Sequence, residues 1–523
     1  MIFYRGGRSL NKKFRITSVL VVFLMFLTAC SIESSNSSTG RNGGEEKKKE
    51  ITFLSNFPSE TLDPHLNYTA VRAGVTETLV KVNQNQEIEP WLAESWKTSD
   101  GGQTWSFHIK KNITFQNGKK VDAAAVKASL ERNIQVSEAM KTALKIKTME
   151  ADGQTLIISN ERKLPHFPSE LVHPNTAIVD SMAENIEQKP IGTGPFKVVS
   201  FEPNSKLELE KYEGYWDGEV KLDRATMTFN EDANARTTAL QSGDADIVYR
   251  PAIESIESLK SDKSIKTDVV ASLRTHLLMY NSGKETFKDI NVRKAFDALI
   301  DRQSVADDIM AGQATVAKGP FLADSPYSPD YEKKQFSVEK AKKHLEKAGY
   351  ELKDGKMVKD GKQLTLNLMT YSYRPELPLI SQLLQSNAKE LGITIEIQQV
   401  ENIDEYLAEK TDWDIATYSL ITAPRGDASY FLNSAYMAGG AINPGQIQND
   451  RITKLIEDLN QTLDNKKRNE LSKETIKIID QEALHSFLVH PNNFVAYKDY
   501  VLNWQTSKSE YYTLTKDLDV RVK

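Results

Sequence analysis

The first thirty residues constrain this chain more than any other part. Met1 to Ala29 carries Arg5, Arg8, Lys12, Lys13 and Arg15 with no acidic residue, and the largely apolar run from Ile16 to Leu27 follows the basic part. A basic segment ahead of a short apolar run is the pattern of a secretion signal. The run is shorter than the ~20 apolar residues a helix needs to cross a bilayer core, and no later stretch is long and apolar enough to span. The body of the chain is therefore expected to fold outside the cytoplasm. Cys30 is the only cysteine, so no intrachain disulfide can stabilise it, and packing must suffice.

The leader ends in Leu27-Thr28-Ala29-Cys30, which resembles the bacterial lipobox. That resemblance implies cleavage after residue 29 and lipidation of Cys30, with acyl chains anchoring the protein on the extracytoplasmic face of the cell membrane. Residues 30–50 then read as a flexible tether. Ser34 to Lys49 is rich in Ser, Gly, Asn, Glu and Lys and has almost nothing able to build a core. Removal of the leader takes the formal net charge from −5 to −10, which speaks against a nucleic-acid partner.

The remaining ~470 residues exceed what a single core supports, so two or more lobes are expected. Short β-like runs, such as Ile51 to Leu54, Leu156 to Ile158 and Leu364 to Leu368, alternate with helical patterns. Those patterns are clearest at Ser337 to Ala348, Leu379 to Leu391 and Arg451 to Asp480. The fold class is α/β in the mixed α+β sense. No P-loop, His-Glu-x-x-His helix, Gly-x-Ser-x-Gly elbow or Cys-x-x-Cys pair occurs. Gly192-Thr193-Gly194-Pro195-Phe196 lacks the third glycine of a dinucleotide turn and reads as a turn at a strand edge.

Several ordered segments carry a family resemblance. They begin with Leu62-Asp63-Pro64-His65 and with Pro90 to Trp96 followed by Ser99-Asp100-Gly101, Trp105-Ser106-Phe107, Ile113-Thr114-Phe115 and Gly118. The Gly192 to Phe196 turn comes next, then Tyr212, Tyr215-Trp216, and Arg236 leading into Leu240 to Asp246. Asn281, Asn291 to Ala295, Ile300-Asp301-Arg302 and Leu391-Gly392-Ile393 complete the series. Together they resemble the peptide- and nickel-binding extracytoplasmic solute-binding proteins of ABC importers over essentially the whole mature chain. The resemblance implies a two-lobed periplasmic-binding-protein-like clamp with an inserted third subdomain. Lobe I would combine 51–85, 193–278 and 485–523, the subdomain would be 86–192, and lobe II would be 279–484. It also implies a monomer that hands its ligand to permease subunits and, through them, to ATPase subunits.

By the same layout, four segments reach the cleft: the Pro-His turn near the start, the loop after the strand near 370, the loop near 425 and the returning strand near 490. They hold His65 with Tyr68, then Tyr371, Tyr373 and Arg374, then Arg425, and lastly His490 with Asn492 and Asn493. Imidazole is a preferred nickel donor, so His65 and His490 are the candidate metal ligands. Two imidazoles leave a metal unsaturated, and a small amino-acid chelator such as free histidine would supply the rest. Arg374 and Arg425 would then pair with its carboxylates, although a peptide's C-terminus would suit them equally. Tyr68, Tyr371 and Tyr373 would line the cleft. His173 falls where some nickel-binding relatives carry a carboxylate-binding arginine, which is absent here. Each residue has a plainer alternative: His490 as a core histidine in an apolar strand, His65 as a local hydrogen-bonding group, and Arg425 paired with Asp427. Capture of nickel as a chelate for an ABC importer, with no catalytic cofactor, is the leading expectation. An oligopeptide-binding lipoprotein is the alternative, and a secreted hydrolase is the third reading, with no nucleophile-base set to support it.

Overall fold

A computed structural model describes residues 48–332 and 334–522. The leader, Cys30 and the tether up to residue 47 lie outside the described residues. A 12-stranded sheet runs through the described part. On one side of the strand His485–Lys498 come Arg274–Tyr280, Ile415–Ile421, Thr365–Thr370 and Thr394–Gln399. On the other side come Ile247–Tyr249, Glu50–Ser55, Arg224–Phe229, Lys206–Lys211 and Phe196–Glu202. The strands Ile265–Ala271 and Ala314–Val316 also pair with His485–Lys498.

That 14-residue strand is shared by two halves of the structure. Its first part pairs with Arg274–Tyr280, with His485 opposite Met279 and Val489 opposite His276. Its second part pairs with Ile265–Ala271, with Asn492 opposite Ala271 and Lys498 opposite Ile265. The partner changes across Ser272-Leu273, where the amide and hydroxyl of Ser272 both donate to the Pro491 carbonyl at 3.1 and 2.6 Å.

Separate hydrophobic cores form on the two sides of this switch. One is built on Tyr280, Phe287, Phe296, Phe321, Phe431 and Phe487, with the Tyr280 and Phe287 rings stacked 5.1 Å apart. Another draws on Phe53, Phe196, Met227, Tyr249 and Leu518. A third packs a four-stranded sheet against the helix Ala123–Val136. In that sheet the strand Thr104–Ile109 buries Trp105, Phe107 and Ile109, the alternation of a one-faced strand.

The helix Glu376–Lys389 buries Leu377, Ile380, Leu384 and Ala388 on one stripe. It starts directly after Pro375 and so fixes Arg374 and Glu376 at the carboxyl end of the strand Thr365–Thr370. The expected helical stretch Arg451 to Asp480 forms two helices, Asp450–Gln461 and Asn465–Gln481. The break falls where the Asp464 side chain caps the second helix by accepting from the Lys467 amide.

The Gly192 to Phe196 turn lies against a second backbone. Gly194 donates to the Val75 carbonyl at 3.1 Å and Phe196 to the Gly74 carbonyl at 3.0 Å. A Cβ built on Gly194 would run into the Gly74 carbonyl oxygen. Gly194→Ala is therefore expected to destabilise the fold by about 2–4 kcal/mol, read as a lowered unfolding midpoint. An unchanged midpoint would contradict this close backbone approach.

Candidate functional site

In sheets of this kind, ligands bind at the carboxyl ends of parallel strands. Glu50–Ser55 runs parallel to Ile247–Tyr249, and Thr365–Thr370 runs parallel to Ile415–Ile421. Arg250 follows Tyr249, Tyr371 and Arg374 follow Thr370, and Arg425 follows Ile421.

The densest charge cluster of this region gathers around Glu510. Arg250 pairs with its carboxylate at 3.0 Å, and Arg72 Nε donates to its main-chain carbonyl at 3.0 Å. Glu510 and Arg250 both hold left-handed backbones, with φ of 65° and 50°, a costly conformation for side-chain-bearing residues that concentrates at functional sites. Buried Arg236 fixes this geometry by donating to the carbonyls of Tyr249 at 3.1 Å and Arg250 at 2.5 Å. Burial raises the Glu510 carboxyl, but the charges of Arg250, Arg274, Arg374 and Arg72 hold it at about 2. Arg374 has no carboxylate within ion-pairing distance among the described residues, and its guanidinium lies 5.8 Å from the Tyr373 ring. Burial, reinforced by the like charges of Arg274 and Arg250, lowers it to about 10. Arg274 Nε is buried without a hydrogen-bond partner. Glu376 accepts from His276 at 2.8 Å, and despite its burial this bond keeps it at about 2.

Arg425 stands apart from this cluster. Its plainer alternative, a pair with Asp427, does not form, because Asp427 is bound by Arg468 at 2.8 Å. Arg425 instead pairs with buried Glu170 of the subdomain segment and lies 4.6 Å over the Tyr430 ring. Nearby, Tyr68 packs edge-on against His173 at 5.6 Å and Tyr511 at 5.8 Å. Tyr371 is largely buried and Tyr373 is 72% exposed. Both line an open groove of about 760 Å³ with Glu401 and Asp404.

The two candidate metal donors sit in different surroundings. His65 is fully buried. Arg132 donates to its Nδ1 at 2.7 Å, so its Nε2 carries the proton and donates to the Ala177 carbonyl at 3.1 Å. The expectation of a free donor at His65 is corrected by this, since no lone pair remains for a metal. Arg132 also forks onto Asp63, so the Asp-Pro-His turn is fastened to the subdomain helix. His490 differs. Its Nδ1 lies 3.1 Å from both the Arg274 carbonyl and the Thr275 hydroxyl. The carbonyl can only accept and the hydroxyl already donates to Pro320, so Nδ1 carries the proton and Nε2 the lone pair. That Nε2 is buried without a hydrogen-bond partner; the Phe321 backbone faces the ring outside ordinary bonding geometry. In His173, Nδ1 accepts from the Asn175 amide at 3.2 Å, which leaves Nε2–H as a donor rather than a metal ligand.

Sequence reasoning passed over Arg72, Arg250, Arg274 and Glu510. One signal was available for Arg250: Tyr249-Arg250-Pro251 repeats the pattern of Tyr373-Arg374-Pro375, and in both the arginine comes after the end of a strand.

The family profile of the bacterial extracellular solute-binding proteins, family 5 (middle region), matches residues 87–443. The nickel-binding protein NikA of Staphylococcus aureus is 35% identical over 468 residues, 89% of this chain and 93% of the relative. The chain belongs to family 5 of the bacterial extracellular solute-binding proteins. The crystal structure of a nickel ABC transporter from Bacillus halodurans is 49% identical, with a TM-score of 0.82 over 90% of this chain and 100% of that one. Staphylococcus aureus NikA in complex with Ni(L-His)2 is 34% identical, with a TM-score of 0.76 and the same coverage. The oligopeptide-binding protein AppA of Bacillus subtilis is 27% identical over 92% of this chain and 93% of the relative. Among the described residues of this family 5 protein, no helix is long and apolar enough to cross a membrane.

The buried histidines of this solute-binding protein make its stability depend on pH. Burial lowers His65, His166, His173 and His490 to about 4 and His485 to about 3. The unfolded chain protonates its histidines near ~6.5. Below that pH the unfolded state binds more protons, and stability falls until the folded groups titrate. Glu77 acts in the opposite sense, because burial lifts its carboxyl to about 7, but it is one group against five. Glu376, Asp427 and Glu510, all held at about 2, matter only below the ordinary carboxylate range. The unfolding midpoint is therefore expected to drop between pH ~6.5 and ~4.5, by up to about 1.4 kcal/mol per pH unit for each histidine. A midpoint constant across that window would contradict neutral burial.

Proposed function

We propose that this protein is the substrate-binding component of an ABC importer that captures extracellular nickel as a complex with a small amino-acid chelator. The observation that carries the reading is Arg374, a half-buried residue whose guanidinium has no carboxylate partner among the described residues, in a cluster where positive charges outnumber negative ones. Such a group calls for an anionic partner from the ligand. A chelator carboxylate supplies one in bidentate geometry. The likeness to a nickel transporter protein and to a relative crystallised with Ni(L-His)2 favours a nickel chelate over a peptide.

In this reading Arg374, with Arg274 beside it, takes the carboxylates. Tyr68 and Tyr371 line the cleft, His173 donates through Nε2–H, and exposed Tyr373 flanks the entrance. Arg425 closes the far side of the cleft by holding Glu170. His490 is the one expected metal donor with an unused nitrogen, and the chelator provides the remaining coordination. The lobes, taken as 51–85 with 193–278 and 485–523, and as 279–484, close over the ligand with the 86–192 subdomain alongside. The protein acts by binding rather than by catalysis, as a monomer that delivers its cargo to permease and ATPase subunits. Acyl chains on Cys30 hold it at the outer face of the cell membrane.

Calorimetric titration tests this. Nickel alone is expected to bind weakly and nickel with L-histidine much more tightly. Arg374→Ala should weaken binding of the complex by about 10- to 100-fold, the loss of one charge-assisted contact. His490→Ala should weaken it with little change in the unliganded unfolding midpoint. Tight binding of oligopeptides with indifference to nickel–histidine would move the assignment to a peptide receptor. For the anchor, Cys30→Ser should shift the protein from the membrane fraction to the soluble or unprocessed one. A normally processed, membrane-bound variant would remove the lipoprotein reading.

A further inference from the structure

Glu510 lies far from every sequence segment expected to reach the cleft, yet the cleft's charges converge on it. Arg250 pairs with its carboxylate at 3.0 Å and Arg72 holds its carbonyl at 3.0 Å. Arg274 and Arg374 stand near enough for their charges to act on it. Its side chain is 4% exposed, and its left-handed backbone is kept although no glycine is present. Neighbours reinforce the arrangement. Asn493 receives the Tyr249 hydroxyl at 2.8 Å and Arg250 at 3.4 Å, and donates to the Ser507 carbonyl at 2.8 Å. This ties the returning strand to the segment that carries Glu510.

The balance of charge has a consequence. Four guanidinium groups act on Glu510, Arg374 also acts on Glu376, and burial disfavours a charge on His276, which donates to Glu376. Two positive charges are left uncompensated. Without Glu510 the excess would be three, and the cleft would favour ligands of greater negative charge. Like-charged guanidinium groups would also lose the anion that lets them share one site.

We propose that Glu510 is a positioning and specificity-determining residue: its carboxylate fixes Arg250, its main chain holds Arg72, and its charge offsets the neighbouring guanidinium groups, which restricts the cleft to carboxylate-bearing complexes of low net charge. The proposal rests on the reading of the cleft as a chelate site. Glu510 itself contacts the array and need not touch the ligand.

The test compares two nickel complexes, the neutral bis-histidine complex and the anionic citrate complex, with metal-free citrate as a third probe. Affinities are measured by calorimetry for the wild type, Glu510→Gln, Glu510→Asp and Arg374→Gln. Glu510→Gln adds one net positive charge and is expected to raise the citrate-to-histidine affinity ratio on the order of tenfold. Arg374→Gln removes one and should lower that ratio by a similar factor. Glu510→Asp keeps the charge and should leave the ratio at the wild-type value while weakening both complexes. A structural role would weaken both complexes together in every variant and leave the ratio unmoved, and that result overturns the proposal. If Glu510→Gln does not fold, Glu510→Ala makes the same change of charge and is read by the same ratio. The nickel reading fails separately: a wild type that ignores nickel–histidine, with the opposite citrate shifts intact, loses nickel and keeps Glu510.

Discussion

Both halves of this protein are built on one strand. His485–Lys498 pairs with Arg274–Tyr280 through its first part and with Ile265–Ala271 through its second. A slip of one residue would turn every side chain of that strand to the opposite face in both halves at once. Pro491 sits where the pairing changes hands. It has no amide to donate, and a proline inside a sheet belongs where a ladder is interrupted. The two bonds from Ser272 to its carbonyl hold the crossing together without extending either ladder. The strands that lead to Arg250, Arg374 and Arg425 all belong to the one sheet that this strand joins.

The buried arginines fall into two kinds, separated by how completely their donors are used. Arg293 gives its donors to the carbonyls of Phe287, Lys288 and Glu482 at 2.7, 2.9 and 3.0 Å. Arg302 binds the Phe487 carbonyl and Asp297, and Arg468 binds two carbonyls and Asp427. These groups act as cross-links, since a guanidinium has five donors and no acceptor to satisfy. Arg274 and Arg425 each keep a buried Nε without a partner, and Arg374 makes no ion pair among the described residues. An unmet buried donor costs about 1–3 kcal/mol. A fold that retains two such residues, beside an Arg374 without an ion-pair partner, at the ends of neighbouring strands holds them for something other than its own stability.

Much of the fold was legible in the sequence because it rests on local pattern. A short β-like run marked the strand at Leu156 to Ile158, and apolar spacing marked the helix that became Glu376–Lys389. The helical pattern from 451 to 480 shows the limit of periodicity: it does not mark the break at Thr462 to Asp464, where a capping aspartate starts a second helix. Arg374 was legible as a loop arginine before a proline, and the same signal at Arg250 was overlooked. Glu510 was not legible at all. It sits near the end of the chain in a turn that only tertiary contacts can hold left-handed, and its partners at 72, 250, 274 and 374 come from segments more than a hundred residues before it.

The histidines show why residue type and position alone do not identify a ligand. His65, His173, His276 and His490 are all buried near strand or turn ends, and sequence treats them as equivalent imidazoles. What separates them is the partner of the second nitrogen, which sets the tautomer and thereby the atom that keeps a lone pair. At His65 an arginine donor and a carbonyl acceptor use both nitrogens. At His173 a backbone amide takes the lone pair and leaves a donor. At His276 the carboxylate of Glu376 draws the proton to Nε2, so the lone pair rests on a buried Nδ1 without a partner. At His490 a carbonyl draws it to Nδ1, and the lone pair rests on Nε2. Strand alternation then divides the last two: Thr275, which bonds His490, and His276, which bonds Glu376, are adjacent residues and point to opposite faces of the sheet. His276 is spent on orienting Glu376, whereas His490 keeps the unused lone pair that the proposed coordination needs.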